Sequence, residues 1–180
     1  AIFTSNPLRD LEWLMKNWQL KIYPNVKNAK LNLFTGISTY GDFGKKHSSK
    51  IEKILNIAES LKNKGVNFNE PIKREDLFKK LNKARIFLYK GTHDETFCMA
   101  AAEAQALAIP AVVCDFGAMK ERIIDNKTGY VCKNTEDFNS KAIKLLNDDK
   151  IWMRMHKNLL INDNHLRWSE IAKKWKKIIN

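Results

Sequence analysis

Residues 85–115 read RIFLYKGTHDETFCMAAAEAQALAIPAVVCD, and their pattern decides the fold. RIFLY at 85–89 is short, apolar and suited to a pleated, buried surface. AVVCD at 111–115 has the same character. Between them, the alanine-rich run from Phe97 to Ile109 is too long for a strand and carries one charge, Glu103. Strand, helix and strand within about 30 residues make a βαβ unit, whose two strands run parallel.

The same alternation extends outward in both directions. IFTS at 2–5 reads as a strand running into Asn6-Pro7, where Asn6 suits a helix cap and Pro7 a first turn. Leu8, Leu11, Leu14, Met15 and Trp18 then keep helical spacing, which places Arg9 in the first turn of that helix. KLNLFTG at 30–36 is a second strand, followed by a loop of Gly, Ser and Tyr. Ser49 and Glu52 are spaced as a capping box for a helix with Ile51, Ile54, Leu55, Ala58 and Leu61 on one face, and Gly65 is placed to end it. VNFN at 66–69 is a strand and 73–83 a short helix; beyond 115 come a helix near 118–124, a strand around Tyr130-Val131, and helices at 135–147 and 150–162. The pattern predicts an α/β fold: a Rossmann-like open parallel sheet with helices on both faces. In such sheets ligands sit beyond the carboxyl ends of the strands.

At 180 residues, 44% hydrophobic and 29% charged, the chain suits one soluble domain of ordinary size. No apolar run approaches the roughly 20 residues that cross a bilayer, and no secretory leader is expected. The opening AIFTSNP starts as a strand at once, which suggests a domain cut from a longer protein; removal of an initiator methionine is the alternative. The net charge of +12 invites a nucleic-acid or membrane partner, but 26 of the 32 basic residues are Lys and 6 are Arg. Arg is the side chain that reads phosphates and base edges in bidentate fashion, so no nucleic-acid partner is expected. Cys98, Cys114 and Cys132 are odd in number and widely spaced, which argues against a disulfide framework or zinc site and for a reducing, cytoplasmic setting. His47, His93, His156 and His165 lack metal-ligand spacing, so no metal is expected.

Two carboxylates stand out. Glu103 lies either on an exposed stripe with Gln105 or faces a polyol, its two oxygens matching the paired hydroxyls of a ribose. Glu95, with Asp94 and Thr96, suits a helix start; the free amides of Thr96, Phe97 and Cys98 would also suit a phosphate. Arg9, in a first turn where a cation is disfavoured, is either an exposed residue beside Asp10 and Glu12 or a partner for a diphosphate.

EAQALAIPAVV, preceded by Glu95 at a Glu-x7-Glu spacing and by RIFLYKGTHDET, resembles the donor-site motif of family 4 retaining glycosyltransferases of the GT-B fold. The likeness continues in TSNPLRDLEWLM, FNEPIKREDLFKKLNKA, IIDNKTGYV and HLRWSEIAKKWKKII, and so spans nearly the whole chain. It implies the C-terminal, nucleotide-sugar-binding half of such an enzyme, a hexosyltransferase taking a UDP- or GDP-linked donor. By this resemblance Glu103 holds the donor ribose, Glu95 contacts the transferred sugar and Arg9 stabilises the leaving diphosphate. The amides of Phe97 and Cys98 line the phosphate and sugar site, and Ile72 packs on the base. The resemblance implies neither metal nor cofactor.

Where the family often has a second basic residue this chain has Phe3-Thr4-Ser5, of which Ser5 offers a hydroxyl. Glu70 replaces a usual Gly, and ALAIP replaces A-x-G-x-P. The acceptor-binding N-terminal half is not in this sequence, so the domain is expected to bind donor but transfer little sugar alone. A nucleotide-sugar epimerase on the same fold is a related alternative, and a basic module for nucleic acid or membrane surfaces is a different one.

The division expected is a nucleotide-sugar domain over 1–165 and an amphipathic helix over 166–180. Trp168, Ile171, Ala172, Trp175, Ile178 and Ile179 form its apolar stripe, backed by Lys173, Lys174, Lys176 and Lys177. Such a helix suits either packing on the N-terminal half or peripheral membrane association of the full-length protein.

Overall fold

The structure, a computed structural model, describes residues 1–161 and 168–179. Its strands are Ile2–Phe3 (β1), Leu31–Phe34 (β2), Val66–Asn69 (β3), Phe87–Tyr89 (β4), Ala111–Cys114 (β5) and Gly129–Cys132 (β6). They form one sheet in the order β3-β2-β1-β4-β5-β6 with every neighbouring pair parallel. The helices are Leu11–Asn17 (α1), Gly41–Lys46 (α2), Ser48–Ser60 (α3), Arg74–Leu81 (α4), Met99–Ala106 (α5), Met119–Arg122 (α6), Thr135–Asn147 (α7), Asp149–Ile161 (α8) and Trp168–Ile179 (α9).

Strands β4 and β5 are buried at every position, as a central sheet covered on both faces requires. Phe3, Phe87 and Tyr89 pack across the middle of the sheet, with ring centroids 5.9 to 6.1 Å apart. Helix α1 buries Leu11, Leu14 and Met15 and continues as one π-helical turn, Trp18–Ile22, which buries Trp18 and Ile22. The Trp18 indole donates to the Lys64 carbonyl at 2.8 Å, so this large side chain is buried without an orphaned donor.

From β1 the chain moves outward to β2 and β3, then returns to the far side of β1 for β4, β5 and β6. The segments leaving β1 and β4 therefore diverge, and a crevice opens between them at the carboxyl end of the sheet.

Several local expectations are corrected. The expected loop after β2 contains a 3-10 turn, Ser38–Tyr40, followed by α2. Because the chain is already helical there, α3 starts at Ser48 after His47 and no side chain caps it; the Ser49–Glu52 box does not form. The helix expected from 97 to 109 is shortened to α5 by left-handed backbone at Cys98 (φ 57°) and Ala108 (φ 54°). In α9, Trp175, Ile178 and Ile179 are exposed. The boundary expected at 165/166 lies outside the described residues.

Candidate functional site

A cavity of about 700 Å³ lies at this crevice. Thr4, Ser5 and Asn6 reach it from β1, and Thr92, Asp94 and Glu95 from β4. Helix α5 and its cap supply Cys98, Met99, Ala100 and Glu103, and the segment after β2 supplies Tyr40 and Phe43. Arg9 completes the lining with Leu8. Arg9, Ser5, Glu95, Cys98 and Glu103 therefore share one space, though they come from two separate stretches of chain, one after β1 and one after β4.

Arg9 stands in a turn ahead of α1 rather than in its first turn. The Asn6 side chain accepts from the Leu8 amide at 2.9 Å, and the Asn6 carbonyl accepts from the Arg9 amide at 2.9 Å. Asp10 then turns left-handed (φ 56°), which separates this turn from α1. The Asp10 carboxylate accepts from Lys90 at 3.0 Å, tying the turn to the end of β4. The Arg9 guanidinium donates to the Thr92 hydroxyl, which crosses the crevice. Tyr40 is close enough for the two to interact: burial pushes its phenol up and the charge of Arg9 opposes the rise.

Glu95 uses both carboxylate oxygens. Oε2 accepts from the Tyr89 hydroxyl at 2.5 Å and Oε1 from the Cys98 amide at 3.1 Å. Burial first, and then Glu95, push the Tyr89 phenol far up, while a hydrogen bond from Ser5 opposes them; Tyr89 is a neutral donor throughout the working pH range. Burial likewise pushes the Cys98 thiol up to about 12. The main chain of Glu95 is pinned from behind, its carbonyl accepting from the Ala118 amide at 2.8 Å. Gly117 (φ 50°) makes that approach possible, since a Cβ there would lie 2.3 Å from the Glu95 carbonyl oxygen.

The Cys98 amide, expected to be free for an anion, is thus already capped by Glu95. Thr96 and Phe97 have exposed side chains outside the cavity lining. Phe97 stacks instead under the Arg122 guanidinium, 3.8 Å from its ring centre. Ile72 is 39% exposed and also lies outside the lining.

Glu103 meets the cavity and accepts from Arg74, whose Nη2 lies 2.7 Å from Oε1. The exposed stripe with Gln105 does not exist. Gln105 is buried and donates to the carbonyls of Ile109 and Thr128 at 3.0 and 3.2 Å, locking the end of α5 to the approach to β6. Sequence reasoning missed Tyr40, Phe43, Thr92 and Arg74. An aromatic pair three residues apart in a Gly- and Ser-containing stretch was a signal for the first two; nothing local marks Thr92 or Arg74.

Residues 39–161 match the family model of the glycosyl transferases group 1, which is more than half of the chain. The chain belongs to this family. No curated protein matches it. Among solved structures, a TarM variant from S. aureus in complex with fondaparinux, α-GlcNAc-glycerol and UDP superposes with a TM-score of 0.74 at 18% identity, covering 99% of this chain and 35% of TarM. HepE from Anabaena, in complex with UDP and glucose, gives 0.74 at 11% identity, covering 99% of this chain and 47% of HepE. The C-terminal domain of the group 1 family protein LpcC from Francisella tularensis gives 0.64 at 19% identity, covering 92% of this chain and 85% of that domain. At these identities the likeness establishes the fold, that of GT-B glycosyltransferases. This group 1 chain spans about a third of TarM and just under half of HepE.

Proposed function

We propose that this group 1 chain is the donor-binding domain of a configuration-retaining, metal-independent hexosyltransferase that takes a UDP- or GDP-linked sugar. The observation that carries the reading is the shared cavity: one guanidinium, three carboxylates and several hydroxyls meet at the sheet's switch point. In this reading the diphosphate lies against Arg9. The Thr92 hydroxyl, having accepted from Arg9, still has its own proton to donate, and Ser5 adds a second hydroxyl from the position where the family often carries a cation.

When the bond from the anomeric carbon to the diphosphate breaks, its electron pair leaves with the phosphate oxygen. A fixed guanidinium beside that oxygen meets the growing charge without reorganisation, which is the most effective form of electrostatic catalysis. Glu103 accepts from the ribose hydroxyls, and Glu95, already oriented by Tyr89 and the Cys98 amide, faces the transferred sugar. Cationic and hydroxyl donors supply the charge balance, so neither metal nor other cofactor is required.

The acceptor-binding N-terminal half found in relatives of this architecture would close the cleft, and α9 would pack its exposed stripe on that half. The isolated domain would then hold donor and transfer little sugar. The full-length protein is proposed to work in the cytoplasm, associating at most peripherally with membrane. Among the described residues no helix is long and apolar enough to cross a bilayer.

The test is calorimetric titration of the domain with UDP, GDP and ADP, alongside Glu103→Ala. Saturable binding of one nucleoside diphosphate, weakened about tenfold or more by the substitution, is the expected result for loss of a charge-assisted hydrogen bond. Equal binding by wild type and Glu103→Ala would remove Glu103 from the site.

A further inference from the structure

We infer that Arg74 is the positioning residue for Glu103, so that recognition of the donor's ribose depends on an ion pair between α4 and α5. The inference rests on the nucleotide reading above and concerns a residue outside the expected set of ligands.

Arg74 opens α4, at the end of the segment that leaves β3. It is 63% exposed, yet its Nη2 reaches 2.7 Å from Oε1 of Glu103, a carboxylate that is only 18% exposed. The guanidinium also sits 5.4 Å from the centre of the Phe78 ring, one helical turn further along α4. Ion pairs with one exposed partner add little to stability, so the fold alone gives small reason for this geometry.

The reason lies at Glu103. A carboxylate on a flexible side chain can present either oxygen in many orientations, whereas a ribose diol needs acceptors at fixed positions. Tethering Oε1 to a planar guanidinium fixes the carboxylate plane and leaves the acceptor sites of Oε2 for a ligand. A nucleoside lying over Glu103 would also strip water from it, and an unpaired carboxylate in that state is costly. Arg74, which lies outside the cavity lining, supplies the compensating charge. Arg74 therefore acts on the sugar of the nucleoside through Glu103, and leaves the diphosphate grip of Arg9 unaltered.

The experiment is calorimetry on the domain with UDP or GDP, whichever wild type holds more tightly, with its 2′-deoxy counterpart, and with inorganic pyrophosphate. Wild type, Arg74→Ala, Arg74→Lys, Glu103→Ala and the Arg74→Ala/Glu103→Ala double variant are compared. Arg74→Ala is expected to weaken the ribonucleotide about tenfold, the loss of one charge-assisted hydrogen bond, and to bring ribo and 2′-deoxy affinities together. Pyrophosphate binding stays unchanged. The double variant binds no more weakly than Glu103→Ala alone, because the two residues act as one unit. Arg74→Lys, keeping the charge but losing the fork, falls between; it also carries the test should the alanine variant fail to fold.

Unchanged or tighter ribonucleotide binding by Arg74→Ala, or losses that add in the double variant, would overturn the inference. So would an equal loss of pyrophosphate binding. Wild type that binds no nucleoside diphosphate fails the donor reading itself and takes this inference with it. Wild-type binding that Glu103→Ala weakens and Arg74→Ala does not is a failure of the inference alone.

Discussion

Helices α5 and α7 leave the same end of the same sheet, and their first turns are built in opposite ways. At α7, Asn134 is extended and accepts from the Asp137 amide at 2.9 Å, while the Asp137 carboxylate accepts from the Lys133 amide and from Lys141, each at 3.1 Å. The Asn134 side chain and the Asp137 carboxylate are both answered by neighbours in sequence, a reciprocal cap that stabilises the helix. At α5 the cap position is Cys98 in left-handed backbone, and its side chain caps nothing. The turn is held instead by Glu95, which depends on Tyr89 from β4 and on the close approach of Gly117. Left-handed backbone at a non-glycine residue costs about 1–2 kcal/mol. The start of α5 thus relies on distant groups and borders a cavity, whereas that of α7 is self-contained and borders none of it. Strain and polar groups gathered round a cavity are what a working site costs; α7 shows what the same sheet does where only stability is at stake.

The difference can be broken from the α5 side with the largest effect. Gly117→Ala forces a methyl group against the Glu95 carbonyl in left-handed backbone, and thermal melting should show a loss on the order of 3 kcal/mol. An unchanged melting temperature would mean that the Glu95 main chain is not pinned as described. Tyr89→Phe is next. It leaves Oε2 of Glu95 without its donor, and chemical denaturation should report a loss of about 2 kcal/mol, together with weaker nucleotide binding. The smallest effect comes from α7. Asn134→Ala should cost about 1 kcal/mol and leave nucleotide binding untouched, because that cap serves the helix alone. A nucleotide defect in Asn134→Ala would erase the contrast.

Much of the fold was legible. VNFN at 66–69 and the helix at 135–147 appear with the boundaries their patterns imply, because apolar–polar alternation in the one and a strong cap in the other are local signals. The parallel sheet followed from alternation, and the site's location from the topology of such sheets. What was not legible depends on left-handed residues and distant partners. Asp10 moves Arg9 out of α1, yet nothing in its neighbours announces φ 56°. The Cys98 amide looks free in sequence and is capped by Glu95, while Thr96 and Phe97 lie near the site in sequence but, like Ile72, outside the cavity lining in space. Gln105 looked like the companion of Glu103 on a water-facing stripe; its amide instead ties two carbonyls inside the core. Arg74 is 29 residues from Glu103 in sequence, and their ion pair forms only once the fold brings the start of α4 to α5.

The claim at stake is that the cavity at the start of α5, and not the start of α7, holds a nucleoside diphosphate. Amide chemical shifts followed by NMR during titration with UDP and with GDP test it most directly. The expected result is saturable movement of Ser5, Arg9, Thr92, Glu95, Cys98 and Glu103 with one of the two nucleotides, while Lys133, Asn134 and Asp137 stay fixed. Saturating shifts centred on 133–137, or none at the cavity residues with either nucleotide, would contradict the account.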